Sequence, residues 1–79
     1  MAWREITVGD TQWKVFPVAE KTPRSNGWRL VLAFRPNPPQ RRSVWAQTSL
    51  ESQSRTDLFA KADRMTAEKI AAALTERLG

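Results

Sequence analysis

Apolar and polar residues alternate along the first half of the chain, and the spacing of apolar residues becomes helical in the second half. Residues 3–8 (WREITV) place Ile6 and Val8 on one face of an extended strand. A Gly-Asp turn at 9–10 is followed by a second β-type run at 13–20. Two such runs around a short turn predict a β-hairpin.

A third strand is predicted over residues 28–35 (WRLVLAFR), within the most apolar stretch of the chain. Successive residues of a strand point to opposite faces of the sheet. One face of this strand is large and wholly apolar, with Trp28, Leu30, Leu32 and Phe34. The other face carries Arg29, Val31, Ala33 and Arg35. We therefore expect the first set in the core and the arginines in solvent.

Residues 42–49 (RSVWAQTS) predict a fourth strand whose orientation has two solutions. Either Val44 faces the core and Trp45 the solvent, or the reverse. We favour Val44 inward, because this choice leaves the polar residues Ser43 and Gln47 outside together with Trp45.

Pro17 lies within the predicted second strand, where a proline is disfavoured. Proline has no backbone N–H, so within a sheet it is confined to edge positions and bulges. A meander places the second strand between the first and the third. We therefore expect the second strand to be bent or bulged at Pro17.

From residue 52 onward the pattern is helical. Ser54 and Asp57 resemble a capping box that starts a helix at residue 55, and Thr66 is a second helix-start signal. The chain then forms either two helices with a break near 64–66 or one bent helix that ends at Gly79. The apolar stripe contains Leu58, Phe59, Ala62, Met65, Ile70, Ala73, Leu74 and Leu78.

These elements predict one α+β domain over residues 1–79, since the chain is too short for two domains. Residues 1–50 form the sheet half and residues 51–79 the helical half. We expect a three- to four-stranded antiparallel sheet, a β-meander, with a C-terminal helix or helix pair packed on one face. The uncovered face then carries the arginines.

The net charge of +5 lies entirely in the sheet half. Residues 1–50 contain eight Lys or Arg and three Asp or Glu, whereas residues 51–79 contain five of each. An excess of positive charge on one side of a domain indicates an anionic partner, although it also serves solubility.

Several function classes are disfavoured by composition. With no His, Cys or Tyr, acid–base chemistry would depend on scattered Asp, Glu and Lys residues, so we do not expect an enzyme. We also expect no metal, cofactor or small-molecule ligand, because metal-ligand clusters and phosphate-binding glycine loops are missing from the sequence. No segment has the length of a membrane span, and the absence of cysteine agrees with a cytoplasmic location.

The candidate binding surface is the arginine-bearing sheet face with its tryptophan. It comprises Arg29, Arg35, Arg41, Arg42, Lys14 and Trp45. Guanidinium groups bind phosphates with two hydrogen bonds, and a tryptophan ring stacks on nucleobases. We therefore expect a small, basic, non-catalytic binding domain, with nucleic acid as the first candidate ligand.

A protein partner is the alternative. Val31, Ala33 and Trp45, surrounded by arginines, match the composition of protein interfaces, which favour Trp and Arg over Lys. The chain has nine Arg and four Lys, which agrees with this alternative but also with nucleic acid. The domain would then be an interaction module or one subunit of a homodimer.

Overall fold

Four antiparallel strands form one meander sheet, and two C-terminal helices pack on one of its faces. The computed structural model describes residues 3–23, 26–37 and 42–78. The elements are β1 (Arg4–Val8), β2 (Thr11–Lys21), β3 (Trp28–Asn37), β4 (Val44–Ser52), α1 (Arg55–Ala62) and α2 (Ala67–Leu78). This arrangement confirms the α+β prediction, with four strands and two helices.

The face under the helices, here called the covered face, holds the core. Leu30, Leu32 and Phe34 of β3 are fully buried there, as the alternation predicts. The other buried members are Ile6, Trp13, Val15, Ala46, Leu58, Ala62, Ile70 and Leu74. Val44 also packs against this core, so the preferred orientation of β4 is confirmed.

Both predicted helix starts are confirmed by their caps. The Ser54 hydroxyl accepts the backbone N–H of Asp57 at 3.0 Å. The Thr66 hydroxyl accepts that of Lys69 at 3.2 Å. Each cap satisfies one of the N–H groups that a first helical turn leaves without a partner. The chain therefore forms two helices rather than one bent helix.

The break between the helices is attached to the start of the sheet. The indole N–H of Trp3 donates to a carboxylate oxygen of Asp63 at 2.8 Å, and Arg4 donates to the Asp63 carbonyl at 2.8 Å. The Arg4 guanidinium also lies 4.6 Å from the centre of the Trp3 ring. These contacts hold the turn after α1 and thereby direct α2 back across the sheet.

The prediction that Leu78 belongs to the apolar stripe facing the core is wrong. Leu78 is 52% exposed, whereas Ile70 and Leu74 of the same helix are fully buried. Leu78 is the last residue of α2, where the helix has passed the core. Gly79, predicted as the helix stop, lies outside the described residues.

Of the bend or bulge predicted at Pro17, the bulge is not found in the pairing of β2 with β3. Pairing of β2 with β3 continues without a shift along their described length, and Pro17 lies opposite Leu32. β1 pairs only as far as Val15 of β2. Pro17 therefore lies two residues beyond the end of the described β1–β2 pairing, and among the described residues it is paired only with β3, where proline is tolerated as on an edge strand.

The irregularity falls instead between β3 and β4. The register shifts between Arg29 and Val31 of β3. There the Thr48 hydroxyl donates to the Leu30 carbonyl at 2.9 Å and accepts the Leu50 N–H at 3.1 Å. Thr48 thus supplies side-chain hydrogen bonds where the regular pairing is interrupted.

Candidate interaction surface on the open sheet face

The sheet face opposite the helices, here called the open face, is organised in cross-strand rows. Residues that are directly opposite in the register share a face. The rows are Glu5–Lys14–Arg35, Phe16–Ala33–Trp45, Val18–Val31–Gln47 and Glu20–Arg29–Glu51. The two middle rows are mainly apolar, and a charged row borders them at each end.

The centre of the open face is buried although the helices lie on the other side. Val31 is 5% exposed and Ala33 is 6% exposed. Their cross-strand neighbours include the large side chains of Phe16 and Val18 on β2 and of Trp45 on β4. Phe16 and Trp45 thus flank Ala33, Val18 flanks Val31, and Trp45 itself remains 55% exposed.

A hollow of about 830 Å³ lies beside Trp45. Its lining combines an apolar part, formed by Val18 and Val31, with the polar side chains of Glu20 and Gln47. The remaining lining residues are Ala19, Trp45 and Arg77, the last from the final turn of α2. The open face thus presents a protruding indole and a hollow side by side.

One end of the open face carries two cations. Lys14 and Arg35 lie directly opposite each other, and Glu5 is the neighbour of Lys14 on β1. The Arg35 guanidinium lies 5.1 Å from the centre of the Phe16 ring, which is a cation–π contact. Arg35 therefore extends over the face toward the apolar centre.

At the other end, acidic groups surround Arg29. Its guanidinium is 3.7 Å from the Glu51 carboxylate, and Glu20 lies opposite it on β2. Glu20 also accepts a hydrogen bond from the Gln47 amide at 3.3 Å. The ion pair is partly exposed, so it contributes only about 0–1 kcal/mol to stability. Its main effect is to neutralise the positive charge that Arg29 would offer to a phosphate.

The predicted basic residues of the open face have acidic neighbours. Lys14, Arg29, Arg35 and Trp45 share this face, as predicted. The rows carry three basic residues and three acidic ones, namely Lys14, Arg29 and Arg35 with Glu5, Glu20 and Glu51, and Arg77 of α2 lines the hollow beside them. The glutamates were missed because they come from three different strands, and only the register brings them together.

The two remaining predicted residues lie apart from these rows. Arg42 is exposed and precedes β4. Arg41 lies outside the described residues. Of the predicted set, the candidate surface contains Lys14, Arg29, Arg35 and Trp45. It also contains the glutamates and the apolar side chains of the same rows.

The titration of Asp57 is perturbed by local helix contacts. The Ser52 hydroxyl, which donates to its carboxylate at 2.6 Å, lowers the pKa of Asp57 below its ordinary value. Lys61, at 3.2 Å on the next helical turn, lowers this pKa further. Asp57 follows the Ser54 cap of α1, so this network stabilises the start of a helix and is separate from the open face.

The described part of the chain lacks the usual features of a metal site and of a membrane-spanning helix. Among the described residues, three or more His, Cys, Asp or Glu side chains do not come together in a group that could hold a metal ion. Neither α1 nor α2 has the length and apolar character needed to cross a bilayer.

Comparisons of this chain with protein families, with curated proteins and with solved structures found no match. The features of the open face are an exposed indole, an adjacent hollow, an apolar centre and a charged row at each end.

Proposed function

We propose that this protein is a small, non-catalytic binding domain that recognises a protein partner through its open face. The observation that carries the proposal is an apolar centre with an exposed tryptophan, bordered by equal numbers of acidic and basic residues. Protein interfaces have this anatomy, with a Trp anchor in the middle and a polar rim around it.

The charge pattern favours protein over nucleic acid. A surface that binds phosphates gains affinity from cations that are free to displace counterions. On the open face, Arg29 is instead paired with Glu51 and lies opposite Glu20. These carboxylates repel a phosphate backbone, whereas a protein partner can match both signs of charge.

The non-catalytic part of the proposal rests on the chemistry available at the surface. Its ionisable side chains are glutamate, lysine and arginine. A general acid or base usually needs a pKa shifted toward neutrality by burial or by a specific neighbour. The glutamates of the open face are exposed, so they are better suited to recognition. A cytoplasmic location agrees with a chain that contains no cysteine and stays a prediction.

Affinity capture tests the proposal with one variant of the open face, Trp45→Ala, and one matched control, Leu78→Ala. Trp45→Ala removes the exposed indole of the open face, and Leu78→Ala removes an equally exposed apolar side chain at the end of α2. We expect the unaltered domain and Leu78→Ala to retain the same protein from an extract of the source cells, and Trp45→Ala to lose it. Retention should also survive nuclease treatment. Equal retention by Trp45→Ala, or its loss after nuclease, would contradict the proposal.

Nucleic acid is the second candidate, favoured by one specific feature. Lys14 and Arg35 are adjacent cations, and Trp45 offers a stacking surface one row away from Arg35. With the exposed Arg42, three phosphate contacts would give a salt dependence of about −2.7 in log affinity against log salt for duplex DNA. Stacking of a base would also quench Trp45 fluorescence.

An NMR titration separates the two candidates. The labelled domain is mixed with short duplex DNA, single-stranded DNA and RNA at low salt, and the amides of residues 28–37 and 42–47 are followed. We expect no saturable shifts of these amides with any of the three. Saturable shifts that weaken steeply with salt would replace the protein partner with nucleic acid.

A further inference from the structure

We propose that the partner of the open face is a second copy of this chain, packed face to face around a two-fold axis that runs perpendicular to the strands. The inference rests on the proposed function and names the partner that the surface fits. A two-fold interface uses the same patch on both subunits, so the patch must be complementary to itself in shape and in charge. The open face meets both requirements.

Shape complementarity comes from the protruding indole and the hollow beside it. Trp45 is 55% exposed, and the hollow of about 830 Å³ next to it is lined by Val18, Val31 and Gln47. Rotation about an axis between the two apolar rows brings the Trp45 row of one copy over the Val31–Gln47 row of the other. Each copy thereby places its indole at the hollow of its mate, and the contact is made twice.

Charge complementarity selects this axis over the other face-to-face arrangement. The Lys14 row contains two cations and one anion, and the Arg29 row contains two anions and one cation. With the axis perpendicular to the strands, these oppositely charged rows meet. Lys14 of one copy then faces Glu20 of the other, and Arg35 faces Arg29, which is itself paired with Glu51. An axis parallel to the strands and centred on β3 also places arginine opposite arginine, and it places Glu20 opposite Glu51. The Lys14–Glu20 pairs therefore favour the perpendicular axis, because like charges that face each other oppose association.

The size of the patch indicates a reversible dimer. Its rows cross three strands, β2 to β4, and extend from Lys14 to Glu20 along β2. With strand spacing of about 4.8 Å and a rise of about 3.4 Å per residue, the footprint is about 15 by 20 Å. This footprint of about 300 Å² is less than half of the about 800 Å² that each partner buries in a standard interface, so the contact is of the weak, transient kind. We therefore expect a dissociation constant in the weaker part of the micromolar range.

Sedimentation equilibrium from about 1 μM to about 1 mM protein tests the dimer directly. The unaltered chain should change from the monomer mass to twice that mass within this range. Trp45→Ala should weaken association at least about tenfold, as expected for a central tryptophan anchor, whereas Leu78→Ala should not. A chain that stays monomeric throughout, or a Trp45→Ala variant that dimerises as well as the unaltered chain, would overturn the inference.

A charge-reversal pair tests the orientation. Lys14→Glu alone places two glutamates opposite each other across the interface, and Glu20→Lys alone places two lysines opposite each other. Each variant alone should therefore dimerise at least about fivefold more weakly at low salt. An equimolar mixture should recover the original affinity, because both cross-interface pairs are then of opposite sign.

Two controls carry the same changes in charge on α2, away from the open face: Lys69→Glu and Glu68→Lys. We expect both to dimerise like the unaltered chain, with circular dichroism melting used to verify that every variant is folded. Failure of the Lys14→Glu and Glu20→Lys mixture to recover affinity would overturn the proposed axis. The Lys69→Glu and Glu68→Lys variants could instead dimerise as weakly as the open-face variants and recover affinity when mixed. Net charge alone would then explain the effect, and the proposed axis would also be overturned.

The results of these experiments distinguish a failure of the dimer from a failure of the proposed function. A monomeric chain that still retains a protein in a Trp45-dependent way leaves the protein-binding function in place and removes the second copy as the partner. Saturable, salt-sensitive binding of nucleic acid to residues 28–47 would remove the proposed function itself.

Discussion

The apolar residues on the two faces of β3 are nearly equally buried, and for different reasons. Leu30, Leu32 and Phe34 are shielded by α1, α2 and the rest of the core cluster. Val31 and Ala33, on the reverse side of the same strand, are shielded by larger side chains of the neighbouring strands. A residue on the first face is enclosed by whole elements of the fold, whereas a residue on the second is enclosed only by neighbouring side chains.

The covered face therefore stabilises the domain, and the open face is left uncovered by the helices. Helices cannot leave the covered face without unfolding the chain, since the core would be exposed to water. On the open face, Phe16, Trp45 and the Arg35 guanidinium can adjust by rotamer changes while the backbone stays in place. Under the proposed function, the same sheet separates folding from recognition, with one face for each.

The largest expected effect comes from truncating the covered face. Leu32→Ala and Leu74→Ala remove fully buried side chains and should each cost about 2–5 kcal/mol of unfolding free energy. Val31→Ala, on the open side of the same strand, should cost about 1 kcal/mol because the surrounding side chains can close over it. Urea denaturation of dilute monomer measures all three. Equal losses for Leu32→Ala and Val31→Ala would abolish the distinction between the faces.

A smaller effect is expected from the two helix caps. Ser54→Ala and Thr66→Ala each remove a side-chain acceptor for a first-turn N–H and should cost about 0.5–2 kcal/mol. Thr56→Ala, an exposed position within α1, provides a control that should be neutral or slightly stabilising. Thermal melting compares the three. A cap variant that melts like the control would mean that the helices are held by packing alone.

Truncating the arginines of the open face should change stability less. Arg29 makes a partly exposed ion pair and Arg35 a ring contact on the surface. The double change of Arg29 and Arg35 to Ala should therefore alter the unfolding free energy by no more than about 1 kcal/mol. Affinity for the partner should fall clearly. A double variant that does not fold would show that these arginines belong to the structure rather than to recognition.

The smallest expected effect concerns acid stability. The pKa of Asp57 is lowered in the folded chain relative to its ordinary value of 3.8, chiefly by the Ser52 hydroxyl and also by Lys61. Its contribution to stability is therefore complete above about pH 4 and is lost as the pH falls through the lowered folded value. Asp57→Asn should destabilise the domain at neutral pH and make no difference, or a smaller one, near pH 2. Denaturation at several pH values measures this, and an Asp57→Asn penalty that grows toward low pH would contradict it.

Local patterns in the sequence were sufficient to predict the elements and the two faces of the sheet. The alternation in β3 assigned Leu32 to the core and Arg29 to the opposite face, and both assignments are confirmed. Ser54 and Thr66 marked the helix starts because capping depends on residues within one turn. These features depend on near neighbours in the chain, which a single sequence displays directly.

Features that depend on distant residues could not be predicted in the same way. Trp3 reaches Asp63 across 60 positions of the sequence, and Glu51 meets Arg29 only because of the β3–β4 register. Among the described residues, pairing of β1 with β2 ends at Val15, two residues before Pro17, and this limit is set by the register between the strands. Counting charges by halves of the chain likewise placed Glu51 in the helical half, although it belongs to the sheet face that the arginines occupy.

The most direct test of the separation between a folding face and a recognition face is a concentration series of backbone amide NMR spectra of the unaltered chain. As protein concentration rises, we predict progressive shifts at residues 16–18, 31–33 and 45–47 and at Arg77, which lines the hollow, while the amides of α1 and of the first two turns of α2 stay in place. Shifts centred on the helices, or spectra that do not change up to about 1 mM protein, would contradict association through the open face.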